Sequence, residues 1–205
     1  MSRLSADPAF KPLQTTMGGQ HRIAFTEMLL SSVLGLVASL ILSVEALALA
    51  ADPDATFSCD ISATISCGAV GRSWQADLLG FPNAFLGLIC EPIIITIAVA
   101  ALGKVSFPRW FMLGAQASYT VGFLFAYWLF YQSFFNIRFL CPWCLLITVT
   151  TTLVFVSMTR INILEGNFGT RVKQRLEPAL RYNMDTVVTV LLLAVVASMV
   201  VYQYV

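Results

Sequence analysis

The apolar residues of this chain are gathered into five long stretches, 28–50, 85–102, 110–130, 141–158 and 186–205, separated by shorter polar segments. Each stretch is close to the ~20 residues that carry a helix across a hydrocarbon core. Backbone groups in lipid have to pair within their own segment, so the pattern predicts membrane-spanning helices. The third, fourth and fifth stretches contain no Asp, Glu, Lys or Arg; the first holds Glu45 and the second Glu91. The first stretch has a competing reading as a signal peptide, since Ala48-Leu49-Ala50 resembles a small-residue cleavage site. Its apolar run exceeds the roughly 7–15 residues of a signal core and a long polar segment precedes it, so it is expected to stay as the first helix.

Composition agrees with a bilayer. The 205 residues are 58% hydrophobic and 11% charged, about half the charge of an average soluble domain. A net charge of +1 offers no basic field for nucleic acid, and a single histidine, His21, excludes a histidine-rich metal site. The fold class expected is an all-α integral membrane protein.

Charge then sets orientation. If all five stretches span, ten of the twelve Lys and Arg residues fall on one side, from Arg3, Lys11 and Arg22 through Lys104 and Arg109 to the cluster Arg160, Arg171, Lys173, Arg175 and Arg181. Arg72 and Arg138 are left on the other. The positive-inside rule makes the first side cytoplasmic, with the N-terminus in and the C-terminus out. The organisation expected is a flexible cytoplasmic tail (1–26), a four-helix domain (27–161) with an extracytoplasmic cysteine loop (51–83), a basic cytoplasmic loop (162–185) and a fifth helix (186–205). The basic loop has two readings, topology signal or contact with anionic headgroups.

This topology puts Cys59, Cys67, Cys141 and Cys144 together outside the cytoplasm, where disulfides persist. The fifth cysteine, Cys90, falls inside the second stretch and is expected to be a small buried apolar residue. In Cys141-Pro142-Trp143-Cys144 a C-x-x-C opens an apolar helix: Cys141 fits the cap and Pro142 the first helical position, where a missing N–H costs nothing. Residues three apart share a helix face, so the sulfurs can meet, and the helix start favours thiolate. Redox exchange is the reading this spacing supports best. A four-thiolate zinc site is weakened by the seven residues between Cys59 and Cys67, too long for a close knuckle, and a purely structural disulfide is the other alternative. The loop 59–67 reads as a mobile, exposed pair able to pass electrons to a fixed pair in the membrane through mixed disulfides.

The order Cys-x₇-Cys, Ser73-Trp74, Pro82-Asn83-Ala84-Phe85-Leu86-Gly87 and Cys141-Pro142-Trp143-Cys144 resembles the vitamin K epoxide reductase family over roughly residues 25–160. The resemblance implies a four-helix transmembrane bundle around a quinone pocket, with the fifth helix added at the C-terminus. It implies that Cys144 faces the quinone, that Cys141 exchanges with Cys67, and that Cys59 meets the outside protein. Ser73 and Asn83 would hydrogen-bond a quinone oxygen. On the residues alone Ser73 is a loop hydroxyl and Asn83 an N-cap. Trp74, Phe81, Phe85 and Trp143 are candidate pocket walls, or ordinary interfacial anchors. The quinone would be menaquinone or ubiquinone, and no metal is expected.

Thr148 stands four after Cys144, where animal members carry a tyrosine implicated in quinone binding, and Pro-Trp between the cysteines resembles bacterial members that oxidise protein thiols. The expected function is therefore quinone-dependent oxidation of a separate extracytoplasmic thioredoxin-fold (DsbA-like) partner, in place of the fused domain many bacterial members carry. Reduction of quinone or vitamin K epoxide is the alternative activity, and a structural or metal-binding subunit the alternative class.

Three further residues carry expectations. Glu91 is either a proton donor to a reduced quinone or a protonated group bonded to backbone freed by Pro92. Glu45 is expected to face headgroups. Tyr119, Phe123, Tyr127 and Phe130, at helical spacing, read as core packing.

Overall fold

The protein is described here by a computed structural model covering residues 18–204. Its helices are α1 (Gly19–Ala51), the single turn α2 (Cys67–Gly71), α3 (Ala84–Leu102), α4 (Arg109–Tyr131), α5 (Pro142–Leu164), α6 (Thr170–Arg181) and α7 (Met184–Tyr204). A 3₁₀ turn (Trp74–Asp77) lies in the cysteine loop, and α4 runs on into a π-helical turn (Gln132–Ile137). The chain is an all-helical membrane protein.

α1, α3, α5 and α7 are long and apolar enough to cross a membrane. Their outer faces are the reverse of a soluble protein's: Leu30, Leu34, Val37, Leu40 and Val44 of α1 are exposed, as lipid as solvent requires. α4 matches the spans in length but is diluted by polar residues that point inward, where Gln116 donates to Thr159 (3.1 Å) and accepts from Asn162 (3.1 Å). A buried amide paired on both sides is tolerated where an unpaired one is costly.

α1 begins earlier than its apolar stretch. The tail expected over 1–26 is helical from Gly19, because Ala24 and Phe25 reach back into the core and are 1% and 2% exposed; its residues 1–17 lie outside those described. Likewise the expected loop 162–185 contains the amphipathic α6, and Arg160 ties α5 to the start of α7 through Asp185 (3.0 Å).

α1 is the central helix, packed along both α3 and α5, while α4 packs along α5. Gly87 makes the α1–α3 approach possible: a Cβ there would lie 2.0 Å from Ser39 Oγ, the small-residue contact by which membrane helices come close. α3 and α4 barely touch each other, so the ring of four is open on that side and encloses a cavity. The loop 52–83, the π turn and the start of α5 all gather at one end of the bundle.

Candidate functional site

The inner cysteines are placed by the start of α5. Cys141 is the N-cap and Pro142 the first helical residue, and Cys144 N–H donates to Cys141 Sγ (3.2 Å). The preceding π turn ends at Arg138, which takes a left-handed conformation (φ 61°) and reverses the chain into Leu140. A π turn next to a functional end is a common device. Leu140 then forms a parallel bridge with Ile65: Ser66 N–H donates to Leu140 O (3.0 Å) and Leu140 N–H to Thr64 O (2.9 Å). The residues after this bridge bring Cys67 and Cys141 side by side, with the sulfurs 3.5 Å apart although 74 residues separate them.

Cys59 and Cys67 are joined as a disulfide, and Cys141 and Cys144 are free thiols. The outer pair is neither exposed nor loosely held, against expectation: Cys59 is 5% and Cys67 3% exposed, under Leu42, Phe57, Val70 and Trp143. Asp60 is the reason. Its carboxylate accepts from Ser66 Oγ (2.6 Å), Gly68 N–H (3.0 Å) and Phe57 N–H (2.8 Å), while Ser66 also caps α2 by accepting from Ala69 N–H (3.0 Å). Burial pushes the Asp60 carboxyl up, but these hydrogen bonds and the Arg72 guanidinium outweigh it and hold the group below its usual range. Arg72 is anchored in turn on Pro53 O and Ala55 O.

A cavity of about 900 Å³ opens below the cysteines between α1, α3, α4 and α5, bordered by Cys67, Cys141 and Cys144 at its head and by Glu91 and Tyr119 deeper in. Ser73 and Asn83 both line it. Asn83 stands at the N-cap position of α3 but makes no capping bond; its Nδ2 donates to Gln75 O (2.6 Å) and its Oδ1 is buried without a partner. Ser73 donates to Val70 O (2.6 Å). Thr148, which donates to Cys144 O (3.0 Å), also borders the cavity.

The aromatic wall differs from the one expected. Phe81 lines the cavity, with Phe125 and Phe130, whereas Trp74, Phe85 and Trp143 do not. Trp74 is 64% exposed and meets Trp128 edge to face, and Phe85 stacks on Phe81 from outside. The short 3₁₀ turn rotates Trp74 away while turning Gln75 in. Cys90, expected as buried, is an unpaired, exposed cysteine on α3. On α4, Phe123 stacks on Phe155 (4.5 Å) and Tyr127 meets Thr152 (2.9 Å), as core packing requires. Tyr119 does more: its hydroxyl donates to Glu91 (2.9 Å) across the gap between α4 and α3. Glu91 is thus held by a side chain and not by backbone freed by Pro92, and its Oε2 is buried and unpartnered.

Glu45 was also misplaced from sequence. Glu45 does not face headgroups: its Oε1 lies 3.4 Å from Cys59 Sγ, its Oε2 is buried without a partner, and it borders the same cavity. The available signal was an acid kept in an otherwise apolar span, where ionisable groups are costly.

The chain matches the family model for the vitamin K epoxide reductase family over residues 26–159, well over half its length. Comparison with individual curated proteins gives no match.

Proposed function

Because the chain belongs to the vitamin K epoxide reductase family, and is therefore a membrane oxidoreductase acting through thiols, we propose that it oxidises the dithiol of an extracytoplasmic thioredoxin-fold protein and passes the electrons to a membrane quinone. The observation that carries this reading is the 3.5 Å contact between Cys67 and Cys141, which joins an outer disulfide to an inner dithiol whose second sulfur borders the cavity. The sequence of exchange follows. A partner thiolate opens the Cys59–Cys67 disulfide at Cys59, and the partner's second thiol releases it as the partner's own disulfide. Cys67 thiolate then attacks Cys141 in an oxidised inner pair, freeing Cys144. Cys59 attacks Cys67 in turn, restoring the outer disulfide and leaving Cys141 and Cys144 reduced. That last state is the arrangement described above.

A quinone, when bound, supplies the terminal acceptor for two electrons and two protons. The cavity suits such a group: it is largely apolar, and it lies beside an opening between α3 and α4 through which a lipid-dissolved molecule can enter without crossing water. Asn83 and Ser73 would hold the polar end. Since Asn83 Nδ2 and the Ser73 hydroxyl already donate within the protein, the free Asn83 Oδ1 and Ser73 lone pairs are acceptors, matched to the hydroxyls of the reduced form, while the amide keeps one N–H for a carbonyl. Glu91, bonded to Tyr119 and bordering the cavity, would supply a proton from below. The basic residues at the end of the bundle away from the cysteines support a cytoplasmic placement for that end and an extracytoplasmic one for the cysteines.

The test is reconstitution in liposomes with a reduced thioredoxin-fold dithiol protein and either menaquinone or ubiquinone. Quinone reduction coupled to partner oxidation is expected, and its absence with all four cysteines intact would rule the reading out.

A further inference from the structure

The thiol relay needs a proton acceptor as well as sulfurs. When Cys59 resolves the Cys67–Cys141 mixed disulfide it has to enter as a thiolate, and an unassisted thiol with a pKa of about 8.5 is only a few per cent ionised near pH 7. We propose that Glu45 is the acid–base catalyst of this exchange, an inference that rests on the thiol oxidoreductase reading but not on the quinone.

Four observations place it there. Glu45 Oε1 is 3.4 Å from Cys59 Sγ. A disulfide sulfur has no hydrogen to donate, so this contact leaves the oxygen without a donor and ready for the proton that Cys59 carries once reduced. One Glu45 oxygen and the sulfurs of Cys59 and Cys67 all lie within 4.8 Å of one another. Oε2 is buried and unpartnered, so no salt bridge or hydrogen bond accounts for the acid here. Finally, the carboxyl projects from α1, the central helix, into the cavity shared with Cys67, Cys141 and Cys144, which gives it access to both ends of the exchange.

The groups facing Glu45 are Asp60 and the two outer cysteines from the loop and Cys144 from α5. Asp60 spends its oxygens on Ser66, Gly68 and Phe57 and is not available as the base. In the proposed step the Glu45 carboxylate removes the Cys59 proton. Cys59 Sγ attacks Cys67 Sγ, the Cys59–Cys67 bond forms and the Cys67–Cys141 bond breaks. Cys141 leaves as thiolate and takes the proton back from Glu45. Cys59 is oxidised and Cys141 reduced, with no net change in protons.

Glu45→Gln tests this by acid quench of the full chain turning over a dithiol donor, followed by peptide mapping of the disulfides. The variant is expected to accumulate the Cys67–Cys141 species, resolve it roughly tenfold more slowly than wild type at pH 7, and recover as pH approaches the free-thiol value of about 8.5. Glu45→Ala should regain rate on addition of acetate. A variant equal to wild type at every pH, or one slowed by the same factor at every pH and not rescued by acetate, overturns the role. Wild type that shows no Cys67–Cys141 exchange at all overturns the thiol oxidoreductase reading as well, so the two failures are distinguishable.

Discussion

The two cysteine pairs contain the same atoms and differ in how the chain holds them. Cys141 and Cys144 take their geometry from a helix start, which needs only Pro142 and four residues of sequence. Cys59 and Cys67 are held by a loop folded around one carboxylate, Asp60, and are covered by Phe57 and Trp143. The helix pair faces two ways, toward Cys67 and toward the cavity. The loop pair is buried. The inner pair is thus set by regular structure and the outer pair by local hydrogen bonds.

The largest effect that would break this contrast comes from the sulfurs. Cys67→Ser or Cys141→Ser should lower oxidation of a protein dithiol by more than about a hundredfold, measured as partner thiol loss. Cys59→Ala should do the same with a protein donor, yet keep quinone reduction by a small dithiol that reaches Cys141 through the cavity. Equal loss with both donors would mean that the two pairs do not divide the work.

Next is the loop. Asp60→Ala removes three hydrogen bonds to a charged acceptor and should destabilise the closed loop by about 1–3 kcal/mol, seen as faster reduction of Cys59–Cys67 by a small phosphine while alkylation of Cys141 is little changed. The pH dependence has a defined sign. The folded value for Asp60 is depressed, so its contribution is complete above the unfolded value of about 3.9 and is lost as pH falls through the lower folded value. Wild type should open on acidification in that window, and Asp60→Ala should show no such transition.

A smaller effect is expected in the cavity. Asn83→Ala should weaken quinone binding roughly tenfold, the loss of one hydrogen bond of about 1–1.5 kcal/mol, without altering exchange between the cysteine pairs. The smallest is at Trp74, whose replacement by Ala should change stability by within about 0.5 kcal/mol and quinone affinity not measurably, because its ring lies outside the cavity.

How much of this was readable in advance follows the same division. Helices and their apolar limits came from block hydropathy, because in lipid the backbone has one solution. The cap at Cys141 and Pro142 was readable because it depends on adjacent residues. Asp60 was not, since its partners are set by the fold of a loop with no period. Trp74 was expected at the cavity wall and Gln75 faces it instead, because a one-residue rotation in a 3₁₀ turn decides which side chain points inward, and hydrophobicity favours the wrong one. The start of α1 was misjudged because Gln20, His21 and Arg22 interrupt the apolar run, while Ala24 and Phe25, further along the same helix, pack into the core. Glu45 was visible as an anomaly, but its neighbour Cys59 lies 14 residues away and only the tertiary fold brings them together.

The central claim is the transfer between Cys67 and Cys141, and its most direct test is disulfide mapping in membranes carrying Cys59→Ala and Cys144→Ser together, treated with a mild thiol oxidant, quenched in acid and alkylated. With neither Cys59 nor Cys144 left to resolve it, a Cys67–Cys141 disulfide should accumulate. Finding Cys67 and Cys141 both fully alkylated would contradict the account.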